Sequence, residues 1–331
     1  MSDLGRREFL LGASGVAALT GLGCARRPYD ASAFSRPPST AVVLLPAATY
    51  DVDLSDVISR GAKALGVSFQ GKRVLLKPNM VEYESHAAIN TNAGVVAAAA
   101  ETALRGGASE VVIGEGPGHR RDTEYLVTAT GLRDHVRDLR LRFVDLNHDD
   151  VQRVKLRSRF MGVEEISLPV AILAADLVVS MPKLKTHHWA GMTCAMKNLF
   201  GVVPGAVYGW PKNFLHFHGI HQSIVDLAAT VRPGLSIVDA VVGMEGDGPI
   251  MGKPRQAGFI AMGTDPVAVD ATCARAIGLD PMRIQYIKDA AAFLGHADPR
   301  RIEHRGESPD RYAYRFDVLP QFEPLRLDPQ G

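Results

Sequence analysis

Residues 73–118 read RVLLKPNMVEYESHAAINTNAGVVAAAAETALRGGASEVVIGEGPG. The apolar run RVLLK at 73–77 is short, and Pro78-Asn79 stops it, which marks a buried strand. NAGVVAAAAETALR at 92–105 is an Ala-rich helix, with Asn92 placed to cap its start and Gly106-Gly107 to end it. EVVIG at 110–114 is again a buried strand, and it opens into the Gly-rich loop Glu115-Gly116-Pro117-Gly118. Strand, helix and strand in this order imply a parallel sheet covered by helices.

Working outward, AVVLLPA at 41–47 reads as a strand and residues 54–66 carry a helical period. A helix is expected around 122–131, followed by the strand LRFVDL at 141–146. The pattern then returns. AILAADLVVSMP at 171–182 is a helical turn running into a buried strand, and HQSIVDLAATV at 221–231 is a helix. LSIVDAVVGMEG at 235–246 and GFIAMGTDP at 258–266 are strands ending in loops, and PVAVDATCARAIG at 266–278 is a helix. The expected fold is therefore α/β: mostly parallel sheet flanked by helices, in two pseudo-similar halves over 41–285. A sub-boundary near 150–165, where VQRVKLRSRFMG breaks the alternation, and one continuous sheet through both halves both stay open, and 286–331 forms a C-terminal extension. In such folds ligands lie beyond the carboxyl ends of the strands.

The first residues have a different character. Arg6-Arg7 followed by Glu8, Phe9 and Leu10 fits the R-R-x-F-L twin-arginine pattern, and an apolar Gly/Ala-rich stretch runs on to Gly23. That length suits a signal h-region and is short for a membrane span. The expectation is a twin-arginine signal at 1–24, with the twin-arginine translocase as export partner and the periplasm or cell envelope as destination. An ordinary secretory signal with two arginines in its n-region is the alternative. Cys24 follows Gly23 as in a lipobox, but Gly21 stands where Leu is usual, so lipid anchoring and removal with the signal both stay open. Residues 25–40 (ARRPYDASAFSRPPST) have the composition of a tether.

Composition excludes several classes. Hydrophobic residues make up 46% and charged residues 22%, as in a globular protein. A formal net charge of +1 gives no reason to expect nucleic acid as a partner. With 3 cysteines and no CxxC run, the chain carries no ligand set of its own for an iron–sulfur cluster or a structural zinc.

The densest chemistry lies in VSMPKLKTHHWAGMTCAMKNLFGVVPG at 179–205. A strand ends at Met181-Pro182, and Lys183, Lys185, Thr186, His187, His188, Thr193, Lys197 and Asn198 follow in what reads as a loop. Lysines gathered after a strand end in a near-neutral protein make a positive pocket suited to a carboxylate or phosphate. GMTCAMKN reads as the start of a helix whose free N–H groups add to that pocket.

The pattern KxKTHxxxGxTxxxKNxFGxxPG resembles the signature of the DUF362 family. The resemblance extends to LLKPN at 75–79, GGASEVVIGEGPG at 106–118, VDAVVGMEGDGP at 238–249 and AMGTDPVAVD at 261–270. Members often carry a ferredoxin-like 4Fe–4S domain. The resemblance thus implies an external iron–sulfur or other redox partner, and one site built from these loops.

The expected cofactor- or ligand-binding residues are Lys77, Asn79, Gly116, Gly118, Lys183, Thr186, Thr193, Lys197, Asn198 and Asp265. Asp265, before Pro266, reads equally well as an N-cap. The expected catalytic residues are His187, Lys185 and Glu115, with Lys77, Glu115 and Lys185 also offering a buried Lys–Glu pair of shifted pKa. A divalent metal would draw on His216, His218, His221, Glu245 and Asp247, although HxHxxH is no zinc signature and histidines in loops are often solvated. Cys194 as a nucleophile lacks an evident base. The expected function is an exported enzyme acting on an anionic small molecule or cofactor, redox-linked or metal-assisted. A non-catalytic ligand-binding or cofactor-maturation protein of the envelope, or a structural envelope protein without ligand, are the competing classes.

Overall fold

The computed structural model describes residues 27–119 and 122–328, so the leader with Arg6, Arg7 and Cys24 lies outside the described residues. The strands are β1 (Thr40–Pro46), β2 (Arg73–Pro78), β3 (Glu110–Glu115), β4 (Arg142–Asp145), β5 (Val151–Lys155), β6 (Glu165–Pro169), β7 (Leu177–Met181), β8 (Lys183–His187), β9 (Gly191–Thr193), β10 (Leu235–Glu245), β11 (Lys253–Gly263) and β12 (Ile302–Gly306). Ten of them form one sheet in the order β12-β1-β11-β10-β7-β2-β3-β4, with β8 paired to β10 and β9 to β8. The run from β10 through β7, β2 and β3 to β4 is parallel throughout. β11 is antiparallel to both its neighbours. This is the α/β, mostly parallel architecture that the alternation implies.

Both faces of the sheet are covered. Val43, Leu45, Val74, Leu76, Val111 and Ile113 pack with the helices Leu54–Ala64 and Ala93–Arg105. Their strand neighbours Val42, Leu44, Leu75 and Val112 pack on the other side with the helices Ile220–Val231 and Pro266–Ala276. Successive strand residues point to opposite faces, so a strand covered on both sides must be apolar without interruption. That is why AVVLL and VLL read as continuous runs. Asn92 caps its helix as expected, accepting from the Gly94 N–H at 2.8 Å. Among the described residues no helix is long and apolar enough to cross a membrane.

The structure decides one open alternative and departs from the sequence reading in two places. Residues 150–165 do not divide two sheets: β5 and β6 form a separate antiparallel pair, while strands from before and after it share the ten-stranded sheet. The extension after 286 is integral, because β12 lies parallel against β1. Most consequential, the loop expected after Met181 is a strand. β8 resumes directly beyond Pro182, and the long β10 serves both: Leu235 and Ser236 pair with β7, then Asp239 and Met244 pair with Lys183 and Lys185. β10 is long enough to template β8 past the carboxyl edge of the sheet, a cue that lies outside the lysine segment itself.

Candidate functional site: a lysine-lined cavity at the strand ends

A cavity of about 460 Å³ opens where β2, β3 and β8 end, at the edge where an open α/β sheet holds its ligands. β2 brings Lys77, with Asn79 just beyond it. β3 brings Glu115, with Gly116 and Gly118 in its loop. β8 brings Lys185 and His187, and β9 brings Thr193. Lys197 and Asn198 come from the single helical turn Ala195–Asn198. Trp189, Phe200, Ile250 and Met251 supply apolar wall.

At its floor, the Lys77 ammonium meets both Glu115 oxygens at 2.8 and 2.7 Å, with Pro78 O at 2.8 Å and Asn198 Oδ1 at 3.1 Å. Glu115 also accepts from the Met80 N–H at 2.9 Å and the Gly116 N–H at 2.8 Å. Asn198 Nδ2 returns a bond to Lys77 O at 3.0 Å. Both charges are almost wholly buried, and burial lowers the Lys77 pKa while Glu115 opposes it. Gly201 closes over the pair, and a Cβ there would strike both Glu115 Oε1 and Lys77 Nζ. Lys183 makes a second buried pair with Asp239 at 2.6 Å, which the Tyr50 hydroxyl joins. It braces β8 against β10 and is not part of the cavity lining.

The other lysines are different. Lys185 donates to Ile89 O at 2.8 Å, and among the described residues no carboxylate lies within ion-pair distance of it. Burial, then the charges of Lys183 and Lys197, push its pKa well below the usual lysine range. Lys197 is partly open to the cavity, and its ammonium sits 3.8 Å from the Phe200 ring centroid. Burial and the neighbouring Lys77 push its pKa down to about 7. His187 Nδ1 accepts from the Trp189 and Ala190 N–H groups at 3.0 and 3.2 Å. Nδ1 is thus the unprotonated nitrogen, and a neutral ring carries its proton on Nε2. Burial first, then Lys197, lowers the His187 pKa well below its usual value, so the ring is neutral. Asn79 Oδ1 and Thr193 Oγ1, both from lining residues, are buried without a hydrogen-bond partner among the described residues. Buried polar atoms normally find partners, so these two have bonding capacity left for a water or a ligand atom.

Most of the expected residues thus meet in one place: Lys77, Asn79, Glu115, Gly116, Gly118, Lys185, His187, Thr193, Lys197 and Asn198 all line the cavity. Others do not. Thr186 Oγ1 donates to Gly246 O at 2.9 Å. Asp265 is an N-cap, accepting from Val267 and Ala268 N–H groups, and it also binds the His296 N–H. The first two N–H groups of that turn are not free for the cavity, because the Asp270 carboxylate takes those of Ala195 at 2.7 Å and Met196 at 3.3 Å. Cys194 is buried with no exposed surface. Of the five residues considered for a metal, only His216 and Asp247 reach the cavity. His218 Nδ1 bonds Met161 O, His221 stacks near Tyr286, and Glu245 accepts from the Asp317 N–H. Among the described residues no group of three or more His, Cys, Asp or Glu is placed to hold a metal ion.

Lys212 was not expected. Its buried ammonium donates to Gly116 O at 2.6 Å, Gly201 O at 3.1 Å, Phe200 O at 3.2 Å and Val203 O. It ties the Gly-rich loop after β3 to the segment after Asn198. The one signal for it is a lone lysine inside the aromatic run YGWPKNFLHF at 208–217.

Fold and cavity together define an α/β protein with a lysine-lined cavity at its strand ends. Residues 74–275 match the family described as a domain of unknown function, DUF362, and the chain belongs to that family. A thylakoid-associated protein of Synechocystis sp. is 30% identical over 225 residues, and the match spans 65% of this chain and 65% of that protein. Among solved structures, the lactate racemase apoprotein from Thermoanaerobacterium thermosaccharolyticum is similar with a TM-score of 0.46 at 14% identity, covering 71% of this chain and 57% of that one. A protein from Thermotoga maritima gives a TM-score of 0.35 at 14% identity, over 66% and 58% of the two chains.

Proposed function

We propose that the cavity binds a small anionic molecule and transfers a proton on it. One contrast carries the reading. Lys77 and Lys183 each have a carboxylate partner, whereas Lys185 and Lys197 have none among the described residues. Two amines held out of water beside a cavity, without counter-charge, are stabilised by an anion that enters with its own charge. Asn79 and Thr193 are positioned to hydrogen-bond the same molecule. Lys197 suits the proton transfer better than His187 does. A group with a pKa near 7 is half-protonated at neutral pH and works in both directions, while a neutral His187 offers a fixed Nε2–H to a developing negative oxygen. Glu115 is fully engaged by Lys77 and two backbone N–H groups, which makes it a positioning residue.

A second reading, a protein that holds the anion without turnover, is favoured by that engagement of Glu115, which leaves the cavity floor without a free carboxylate base. The twin-arginine pattern at Arg6-Arg7 supports export of the folded chain to the periplasm or envelope, with Cys24 as a candidate lipid anchor. Family membership supports work beside an external iron–sulfur or other redox partner.

The test is calorimetric titration of the purified chain with oxalate and with inorganic phosphate at low and high salt. Binding that weakens with salt and is lost in a Lys185→Met/Lys197→Met double variant is expected. Absence of binding by either anion refutes the reading. His187→Ala then separates the two functions, since an enzyme loses turnover while keeping its ligand.

A further inference from the structure

We propose that the Lys197 amine is a carbonyl-capturing nucleophile, which condenses with the aldehyde or ketone of a small 2-oxo acid to form an imine. The proposal rests on the anion-binding reading above and gives its ligand a chemical class. The geometry supplies three elements. First, the Lys197 amine is open to the cavity, with no hydrogen-bond or carboxylate partner among the described residues, only the Phe200 ring at 3.8 Å. The other lysines of this cavity are occupied: Lys77 by Glu115, Lys185 by Ile89 O, and Lys212 by four carbonyls. Second, Lys185 lies in the same cavity, unpaired in charge, and can receive the carboxylate of a 2-oxo acid. Third, His187 presents an Nε2–H beside them, and the charge of Lys197 is the largest charge effect on that ring.

The chemistry balances without an added oxidant or reductant. The amine nitrogen adds to the carbonyl carbon, and the carbonyl oxygen takes up a proton to give a carbinolamine. Loss of that hydroxyl as water, with the nitrogen proton, leaves the imine. The His187 N–H hydrogen-bonds the departing oxygen, and Lys185 holds the carboxylate. A desolvated lysine beside other cations is the arrangement that frees an amine for this reaction.

The groups facing Lys197 are Lys77 from β2 with its partner Glu115 from β3, Lys185 and His187 from β8, Lys212, and His216 from the helix Asn213–Phe217. The cavity lining adds His188, paired with Asp247 at 3.2 Å, and the cations still outnumber the two carboxylates, which favours the free amine. At a pKa of about 7, the neutral fraction of Lys197 at pH 7 is about 10³ times that of an exposed lysine.

The experiment treats the whole purified chain with glyoxylate and cyanoborohydride, which reduces an imine to carboxymethyl-lysine, and maps the product by peptide mass spectrometry. Expected is modification of Lys197 about tenfold or more faster than any surface lysine. The rate should rise through a midpoint near pH 7, following the free amine. Oxalate, which shares the charge and offers no aldehyde or ketone, should suppress it. Lys197→Arg, whose guanidinium cannot form the imine, should abolish it. Should Lys197→Arg fail to fold, the site map, the pH profile and oxalate protection in the unaltered chain decide the matter alone. Oxalate binding without faster labelling of Lys197 overturns this proposal and leaves the anion reading standing. Neither oxalate binding nor selective labelling overturns both.

Discussion

Replacing Glu115 by Gln removes the one negative charge that faces Lys77 in the cavity floor. Both side chains are 1% exposed, so the ammonium cannot recover its lost partner from water. Breaking a buried pair from one side costs about 3–5 kcal/mol. Lys77 keeps Pro78 O and Asn198 Oδ1, which places the expected loss toward the lower figure. For a chain of this size about 2 °C of Tm follows each kcal/mol, so Glu115→Gln should melt about 6–8 °C lower, by calorimetry or circular dichroism at pH 7. The sign of the pH effect follows from the causes. Burial lowers the Lys77 pKa, and Glu115 is what raises it. Without Glu115 the native pKa falls further below the unfolded value near 10.4. Between the two values the unfolded chain binds more protons, so stability of the variant rises with pH. The deficit against the parent chain should therefore shrink from pH 7 to pH 10. Adding Lys77→Met should restore part of the loss, because the double variant leaves no unpaired charge. A Tm loss under about 2 °C, or a deficit that stays constant with pH, refutes the account of this pair.

Three further outcomes follow. Gly201→Ala should destabilise the chain by about 2–4 kcal/mol in urea unfolding, because the new methyl would land on the Lys77–Glu115 pair. Asp270→Ala frees the Ala195 and Met196 N–H groups, so it should weaken oxalate binding several-fold by loosening the turn that carries Lys197, besides lowering Tm. Trp189, 57% exposed at the cavity wall, should behave oppositely: Trp189→Ala is expected to change Tm by less than about 1 °C while reducing ligand affinity.

The parallel sheet was legible because its strands are buried on both faces and must be apolar throughout, as at Val42–Leu45 and Val74–Leu76. The candidate cavity was legible because Lys, Glu, Asn and Gly cluster just past the ends of such strands. What escaped depends on pairing at long range. KLKTH reads as a loop on its own composition and becomes a strand because β10 extends far enough to hold it. The helix start at Ala195 reads as an anion site until Asp270, from a distant helix, occupies it. Glu245 and His218 carry metal-ligand chemistry in their side chains, but their neighbours in space are Asp317 and Met161. Lys212 shows the converse, since its four carbonyl acceptors are backbone atoms that no side-chain pattern announces.

The pairing of β1 has a consequence for how the chain is made. Its two neighbours are β11 and β12, so TAVVLLP leaves the ribosome long before either partner exists. Contacts of such long sequence separation form late, and an apolar strand with both edges open invites pairing with other chains in the meantime. The early strand therefore has to be shielded until residues 253–306 emerge. A nascent chain released before that point would keep its central strands and much of its cavity floor, yet expose its stickiest segment. For this protein, the yield of folded material should depend on chaperone capacity during synthesis more than on the stability of the finished fold.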